Sequence, residues 1–451
     1  MLQVETLPAS LAGLLWVFRS CFTAPTFRTF AALVAGMIAQ PGAGTVCGML
    51  VGAGLSRVWH HSRAHGFFSG ARWCPDRVGL VLLSLIVDRL LPVGAPLVIV
   101  VDDTLFVRAG RKVHAAAWYH DGAAKGPRNG RIRWGNSWVV AGVVVNLPFT
   151  DRPTCLPVAA ALCTKRSPSK QVLACRLVAG IAAAVPDRSV HMVADAWYAG
   201  ADGAAGAAVG AARGRGLPAA VSLTSRLRAN ACLHRIAAPI PGARGRPRRI
   251  GARLGTPADL AATAGWAKAT VRRYGRDDAI AVAETTCLWY GVYRSRTVRV
   301  ILIREPDSTA KAGYDLALIT TDLTSPAADI VARYAARWAI EVAFEDAKQI
   351  TGVGQARNRT RTAVERTVPF GLFVQSLVTV WYTLAGHHPD VTAQRRATAP
   401  WYRSKTQPAY HDMIIKLRRV LIAAKFRAGK TRKPTPQETL AVHAAWAEAA
   451  A

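Results

Sequence analysis

The chain has 451 residues, of which 51% are hydrophobic, and a formal net charge of +31. Its length and composition exclude a disordered protein and predict two or more globular domains with a sizeable core. A surface this basic needs a polyanionic partner, so nucleic acid is the first candidate and an anionic membrane the weaker one.

Cysteine usage and the apolar segments predict a cytosolic protein. The eight cysteines include no CxxC pair and no Cys/His metal spacing, which is typical of reduced structural thiols. The N-terminal sequence MLQVETLPAS lacks the basic and apolar regions of a secretory signal. The most apolar run, residues 78–101, is interrupted by Asp88, Arg89 and Pro92, which favours a buried helix, a turn and a buried strand over a membrane span.

Residues 1–75 are predicted to form a helical N-terminal domain that binds DNA. Short helical patterns alternate with Gly/Ala-rich stretches, and a polar cluster precedes the next helix: Arg57, His60, His61, Arg63 and His65. Three close histidines could indicate a metal site, but no carboxylate or cysteine completes a set. Phosphate contact or a polar helix end is the preferred interpretation.

Two aspartates follow the first predicted strand. Residues 78–91 are predicted as a helix, and residues 96–101, PLVIVV, form the continuous apolar run typical of a strand buried on both faces. The run ends in Asp102, Asp103 and Thr104. Carboxylates there are unfavourable unless another group compensates them, although Asp and Thr also commonly begin turns.

A basic loop with aromatic residues separates this strand from the next. Its arginines and lysines are interleaved with Trp118, Tyr119 and Trp134, a mixture that suits phosphates and unstacked bases. Strands predicted at residues 138–147 and 156–162 would form an antiparallel meander with the first strand.

A third aspartate ends another buried strand. A helix is predicted at residues 171–185 and a strand at residues 190–194, which leads into Asp195, with Tyr198 three residues further on. The order is β-β-β-α-β, with acids at the ends of the first and fourth strands. Chance places one acid at a strand end more easily than two at matching positions, so a functional site is favoured.

Residues 201–322 are predicted to form a β-rich insertion. Strands are expected at residues 220–227, 267–273, 282–293, 297–304 and 315–320. The same segment holds a loop without acids that contains Arg244, Arg246, Arg248 and Arg249. At this net charge, contact with the DNA backbone is favoured over a plain surface loop.

The helix predicted for residues 325–348 carries a further acid. Ser325 is expected to cap it, and apolar residues recur at intervals of three and four. At about 100 degrees per residue, one arc of the helix holds four polar side chains: Tyr334, Arg337, Glu341 and Lys348. One interpretation is a ladder of surface salt bridges. The other is an acidic metal ligand flanked by phosphate-binding cations.

Three acids would converge in the second interpretation: an aspartate of VDDT, Asp195 and Glu341. Such carboxylates would bind two Mg²⁺ ions, with Mn²⁺ as an alternative, because hard cations prefer oxygen ligands. The metal pair could activate an attacking oxygen and stabilise the leaving oxygen of a phosphodiester.

These motifs resemble the DDE transposases of bacterial insertion sequences, of the cut-and-paste kind. The helix matches their signature Y-x2-R-x3-E-x6-K at every spacing, after a β-rich insertion where the family has one. The first-acid motif, VDDT, and the second, ADAWY, are also similar, and the resemblance covers about residues 80–385.

Two choices of acid remain within these motifs. Adjacent strand residues point to opposite faces, so only one of Asp102 and Asp103 can be the leading ligand. The family places the acid directly before Thr, which slightly favours Asp103. Glu345 lies on the same arc as Glu341 but breaks the signature spacing, so Glu341 is the expected ligand.

The resemblance implies an α/β fold with an RNase H-like core, a β-rich insertion, and helical N-terminal and C-terminal regions. The expected boundaries place the helical domain at 1–75, the core at 76–200 and 323–390, the insertion at 201–322 and a basic helical region at 391–451. It also implies DNA cleavage and strand transfer, in which water attacks at the transposon end and the freed 3′-hydroxyl attacks the opposite strand or the target.

The implied partners are the terminal repeats and the target DNA, bound by a homodimer in the bacterial cytoplasm, at the nucleoid, with no membrane. The catalytic and metal-binding residues would be Asp103 or Asp102, Asp195 and Glu341. The expected DNA-binding residues are Tyr334, Arg337, Lys348, Tyr198, Arg244, Arg246, Arg248, Arg249, Arg357 and Arg359.

Two other functions stay open at this point. An RNase H-like nuclease would cut without joining, and it would use the same metal pair. A DNA-binding protein derived from a transposase would leave the chemistry unused, although every catalytic position is filled here.

Overall fold

A computed structural model describes residues 7–40, 42–122, 131–199, 217–238, 248–427 and 435–448. The helices that precede the sheet are α1 (Ala9–Trp16), α2 (Ala24–Ala39), α3 (Val46–Gly52), α4 (His61–Ser69) and α5 (Pro75–Leu90). Their aromatic side chains pack on a later helix, Arg361–Trp381, where the Phe68 and Phe370 ring centroids are 5.2 Å apart. Arg366 of that helix donates to the carbonyl oxygen of Trp73 at 2.7 Å. The N-terminal helices therefore share one hydrophobic core with the rest of the fold.

The strands of the described chain form one large mixed sheet and one small hairpin. They are β1 (Leu97–Val107), β2 (Ala117–His120), β3 (Ile132–Val145), β4 (Thr154–Leu162), β5 (Val190–Ala194), β6 (Val221–Arg226), β7 (Leu233–Ile236), β8 (Ile250–Gly255), β9 (Ala267–Arg273), β10 (Arg276–Cys287), β11 (Val298–Arg304) and β12 (Leu316–Thr320). The large sheet has the order β2-β3-β1-β5-β6-β12-β11-β10-β9, with β4 also paired to β3.

The strands β4-β3-β1-β5-β6 form the RNase H-like core. β1, β3 and β4 make an antiparallel meander, and β5 and β6 continue from β1 in parallel. Continuous β-branched runs explain why β1 and β3 lie in the middle, since strands covered on both faces must be apolar throughout. The α/β fold with an RNase H-like core is as predicted.

The strands of the expected insertion extend this same sheet. β12 pairs with β6 in antiparallel fashion, and β11, β10 and β9 follow in turn. Only β7 and β8, among the described strands, pair in a separate sheet. Two short helices, α7 (Pro257–Thr263) and α8 (Tyr290–Tyr293), lie between these strands in the sequence.

Helices cover the sheet at the level of the acids. α6 (Lys170–Ala184) packs on β1, β3 and β4, and α10 (Trp338–Asp346) packs on β4 and β1. α9 (Ala327–Ala335) lies over β9, β5 and β6, and buries Ile330 and Val331 in a smaller core with Leu318.

The last helices of the described chain are α11 (Arg361–Trp381), α12 (Asp390–Thr398), α13 (Tyr410–Arg427) and α14 (Pro436–Glu448). Of the described helices, the stretch Arg361–Gly386 is long and apolar enough to cross a bilayer, and 83% of its most apolar window is buried inside the protein. It packs against β4 and α5, as the core helix of this fold.

Three local predictions differ from the structure. The single helix expected at residues 325–348 is divided into α9 and α10, followed by a π turn at Ala347–Thr351. Pro326, rather than Ser325, occupies the position before α9. β1 does not end before the aspartates but continues through them to Val107, because β3 pairs with it along that whole length.

Candidate active site

The first and second acids lie on neighbouring strands at the same level. Asp102 and Asp103 are consecutive residues of β1, and Asp195 follows directly after β5. Val100 of β1 pairs in parallel with Val193 of β5. Asp102 and Asp195 are each two residues further along strands that run about 4.8 Å apart. The sheet therefore brings these two carboxylates side by side.

Arg337 joins the helix acid to the strand acid. Its guanidinium lies 3.5 Å from an Asp102 carboxylate oxygen and 2.9 Å from Glu341 Oε1. The residue stands between α9 and α10, where backbone hydrogen bonds tighten to three-residue spacing. Burial alone lowers the pKa of Arg337, but the surrounding Tyr334 and acids raise it overall. A side chain exposed by only 17% therefore stays charged between two carboxylates.

Asp103 is held in a different environment. Its Oδ2 lies 2.5 Å from Lys170 Nζ, at the start of α6, and its Oδ1 accepts a hydrogen bond from the Tyr198 hydroxyl at 3.2 Å. This separation follows from the pleat of β1, which points adjacent side chains to opposite faces. Sequence reasoning did not identify Lys170, although the capping Ser169 before it marks a helix start.

Tyr198 was expected to bind DNA, but its side chain is only 1% exposed. Burial raises its pKa, and so do the charges of Asp103 and Asp102. The neutral phenol therefore donates to Asp103 and supports that carboxylate from within the core.

Among the described acids of this site, Asp102 has the pKa that departs most from its ordinary value. Burial raises its pKa to about 7, and repulsion by Asp103 and Asp195 acts in the same direction. The backbone N–H of Asp103, at 2.8 Å, and the Arg337 guanidinium oppose the rise. A carboxylate in this position is best stabilised by an additional cation.

The donor atoms suit a hard divalent cation, since all of them are carboxylate oxygens. In the described part of the chain, no three His, Cys, Asp or Glu side chains lie close enough together to hold a metal ion. Arg337 occupies the position between Asp102 and Glu341 and neutralises both. The carboxylates of Asp102, Asp195 and Glu341 fit such an ion by their donor chemistry, and Arg337 brings positive charge to two of them.

Comparison with known families agrees with this arrangement. A family model described as DDE superfamily endonuclease matches residues 17–291, more than half of the chain. The chain belongs to the DDE superfamily endonucleases. The matched segment contains Asp102, Asp103 and Asp195 and ends before Glu341, so the Y-x2-R-x3-E-x6-K signature lies beyond it. No curated protein matches the chain.

The cations predicted to bind DNA are distributed around this DDE endonuclease. Arg248, Arg249, Arg357 and Arg359 are exposed, whereas Arg244 and Arg246 lie outside the described residues. The Lys348 ammonium lies 5.6 Å from the centroid of the Phe106 ring. The pKa of Lys348 is lowered overall, chiefly by burial. Nearby Asp121 opposes this change and Arg133 adds to it.

Arg108 fixes the loop that carries two of these cations. This buried arginine donates from Nη1 to the carbonyl oxygens of Gly354 at 2.8 Å and Ala356 at 2.6 Å, and from Nε to Asn136 at 2.9 Å. Arg357 and Arg359 follow immediately in the chain. Arg108, which the sequence places in a basic loop, is thus a buried residue that holds the segment 354–356 in position.

A second network attaches α9 to the core strand that precedes Asp195. Asp322 accepts from Arg333 of α9 at 2.8 Å and from the Ser325 hydroxyl at 2.6 Å. His191 of β5 lies 3.7 Å from Asp322 and hydrogen-bonds to Ser222 of β6. This network orients the helix pair that carries Arg337 and Glu341.

Proposed function

We propose that this DDE endonuclease is a DNA transposase, which cuts transposon ends and joins them to target DNA. The observation that carries the proposal is the double contact of Arg337 with Asp102 and Glu341. It supports the placement of a helix acid beyond the matched family segment next to the strand acids within it. The three proposed catalytic acids are Asp102, Asp195 and Glu341.

Asp102 is proposed as the first ligand in preference to Asp103. Asp102 is the carboxylate near Asp195 and Arg337, whereas Asp103 is neutralised by Lys170 and hydrogen-bonded by Tyr198. The sequence slightly favoured Asp103, because it lies directly before Thr104. These contacts support Asp102 instead. In this assignment Asp103 supports the site from the opposite face of β1.

The three acids would hold two Mg²⁺ ions, or Mn²⁺, which supply an activated attacking oxygen and a stabilised leaving oxygen when bound. Arg337 would then turn from the acids to the phosphate beside the scissile bond. Tyr334, whose ring centroid is 5.9 Å from the Arg337 guanidinium carbon, limits where that side chain can go. Lys348 would contact the neighbouring phosphate.

The DNA partner follows from the net charge of +31 and the exposed arginines. Arg248, Arg249, Arg357 and Arg359 are proposed to contact its backbone. Three features stay predictions from the resemblance: the terminal repeats and target as substrates, the homodimer, and the cytoplasmic, nucleoid-associated location.

The test is strand transfer with Mg²⁺ on labelled DNA that carries the element's own terminal repeats. Wild type should give nicked ends and joined products, and Glu341→Gln should lose both by at least about a hundredfold. Asp102→Asn should behave like Glu341→Gln, whereas Asp103→Asn should retain more activity than Asp102→Asn. The reverse order of the two aspartate variants would return the first ligand to Asp103.

Other results would replace the function itself. Cutting without joined products would favour an RNase H-like nuclease. Binding of the ends without cutting by wild type would favour a DNA-binding protein that does not use its acids. Full activity of Glu341→Gln would remove the third acid from the site.

A further inference from the structure

The hairpin of β2 and β3 carries an exposed tryptophan that nothing in the proposed chemistry uses. Trp118 of β2 is 68% exposed, and Ile132 across the hairpin is 62% exposed. β2 is the last strand on its side of the large sheet in the described chain. Exposed apolar side chains that are grouped, unlike single ones, are typical of a surface that a ligand covers.

The ring is held in place from one side. Trp118 meets Trp134 edge to face, with centroids 5.8 Å apart and an interplanar angle of 66°. Trp134 donates its Nε1–H to the carbonyl oxygen of Gly110 at 3.2 Å, and the Tyr119 hydroxyl donates to that of Cys163 at 3.3 Å. The hairpin is therefore tied to the core, and Trp118 projects from a supported base.

The surroundings of Trp118 are basic. Arg131 lies directly before β3 and Arg133 lies on it, next to Trp134, and both arginines are exposed. The buried acid of this region, Asp121, forms an ion pair with Arg133 at 3.3 Å. Lys348, which follows Glu341 on the same helical segment, is near enough to Asp121 and Arg133 for both to act on its pKa. A line of positive charge thus leads from the acids to the hairpin.

The strand register gives the separation of the two levels along the strands. Asp102 is opposite Val140 in the β1–β3 ladder, and Trp118 is opposite Trp134 in the β2–β3 ladder. Six residues of β3 separate the two levels, which corresponds to about 20 Å. DNA with a spacing of about 3.4 Å per base pair would reach the level of Trp118 roughly six base pairs from the acids.

We propose that Trp118 stacks on an unpaired DNA base about six positions from the cleavage site, while the hairpin arginines hold the flanking phosphates. Indole faces stack on bases of any sequence once those bases are unstacked from their neighbours. A fully paired duplex does not offer such a face. The inference rests on the proposed function, because it takes the acids as the point of cleavage.

The test is equilibrium binding of the full chain to two labelled duplexes in EDTA, so that no chemistry takes place. The duplexes differ only in one bulged 2-aminopurine. Wild type should bind the bulged duplex at least about fivefold more tightly, and the 2-aminopurine fluorescence should be quenched. Trp118→Ala should lose the preference and the quenching while binding the paired duplex as before, and Trp118→Phe should retain most of both.

Trp16→Ala is the matched control. Trp16 is 60% exposed and also packs edge to face on another ring, Phe27, at 5.7 Å. Its variant should keep the preference for the bulged duplex. Circular dichroism melting curves would show that all variants are folded.

Three results would overturn the inference: no preference in wild type, a preference retained by Trp118→Ala, or equal weakening of both duplexes by that variant. A Trp118→Ala protein that loses self-association in sedimentation, with unchanged DNA binding, would assign the hairpin to contact between two copies. Because binding is measured without metal, a protein that fails strand transfer can still show the preference. Normal strand transfer without the preference would overturn this inference alone.

Discussion

Lys170 determines the charge around Asp103. The pair is separated by 2.5 Å, with the two side chains 30% and 28% exposed. Its removal leaves Asp103 partly buried with the Tyr198 hydroxyl as a hydrogen-bond donor. Lys170→Met should therefore lower the free energy of unfolding by about 1–2 kcal/mol, measured by urea denaturation.

Lys165→Met is the control for that change, because Lys165 is exposed in the preceding turn. It should leave the urea midpoint of unfolding equal to that of wild type within experimental error. If Asp103→Asn and Lys170→Met are additive in the double variant, the two side chains do not interact in solution.

Asp322 should make the stability of the fold depend on pH. Burial alone would raise its pKa, but hydrogen bonds from Ser325, Arg333 and Thr324 lower it overall. A carboxyl whose folded pKa is lowered stabilises the native state above its unfolded pKa, near 3.8, and loses that contribution as the pH falls through the folded value. Asp322→Asn should thus cost roughly 2–4 kcal/mol at pH 7.

Urea denaturation at pH 7 and pH 3 measures this dependence. The difference between wild type and Asp322→Asn should be smaller at pH 3. Asp329→Asn removes an exposed acid of α9 and should show no such difference. An equal effect of Asp322→Asn at both pH values would show that the carboxylate charge does not stabilise the fold.

Between α9 and α10, Arg337 contacts the carboxylates of Asp102 and Glu341, so it would compete with a metal ion that bound the same carboxylates. Arg337→Ala removes that competition, so Mg²⁺ should bind the variant several-fold more tightly and raise its melting temperature more than that of wild type. Cleavage of transposon ends should nevertheless fall by roughly tenfold or more, because the variant lacks the guanidinium proposed to contact the phosphate. Thermal melts across a Mg²⁺ titration and end cleavage measure the two effects.

Arg357→Ala, an exposed arginine away from this ion pair, is the control and should leave the Mg²⁺ response unchanged. If Arg337→Ala neither tightens Mg²⁺ binding nor reduces cleavage, the contacts with Asp102 and Glu341 serve only as a structural salt bridge.

Elements with strong local patterns were predictable, and their ends were not. The continuous apolar run before Asp102 identified β1, but the strand continues to Val107 because β3 pairs there. Periodicity identified the helical character of residues 325–348, while the tightened turn at Arg337 divides it. Such boundaries depend on partners that are distant in sequence.

Residues that support the site had no local signal. Lys170, Arg108 and Asp322 act through partners more than ten residues away or through main-chain carbonyls of another loop. Acids at strand ends are visible in a sequence because they interrupt apolar runs. A lysine at a helix start or an arginine in a basic loop interrupts nothing, so its burial emerges only from packing.

For the whole molecule, one sheet joins the regions expected to be a core and an insertion. β12 pairs with β6, so β12, β11, β10 and β9 extend the core sheet, whereas β7 and β8 pair with each other in a separate sheet. The acids therefore lie in the interior of a long sheet, between the β2–β3 hairpin on one side and β9 on the other. A duplex that lay over the acids would contact protein surface on both sides of them, toward the β2–β3 hairpin and toward β9.

The net charge of +31 should make DNA affinity fall steeply with salt, because bound cations release counterions from the phosphates. Arg357→Ala combined with Arg359→Ala should weaken duplex binding and reduce the slope of log Kd against log salt by about 2. Arg77→Ala with Arg89→Ala removes the same charge from exposed positions of α5 and should change the slope less. Equal slopes for the two double variants would show that net charge, rather than the loop held by Arg108, determines where DNA binds.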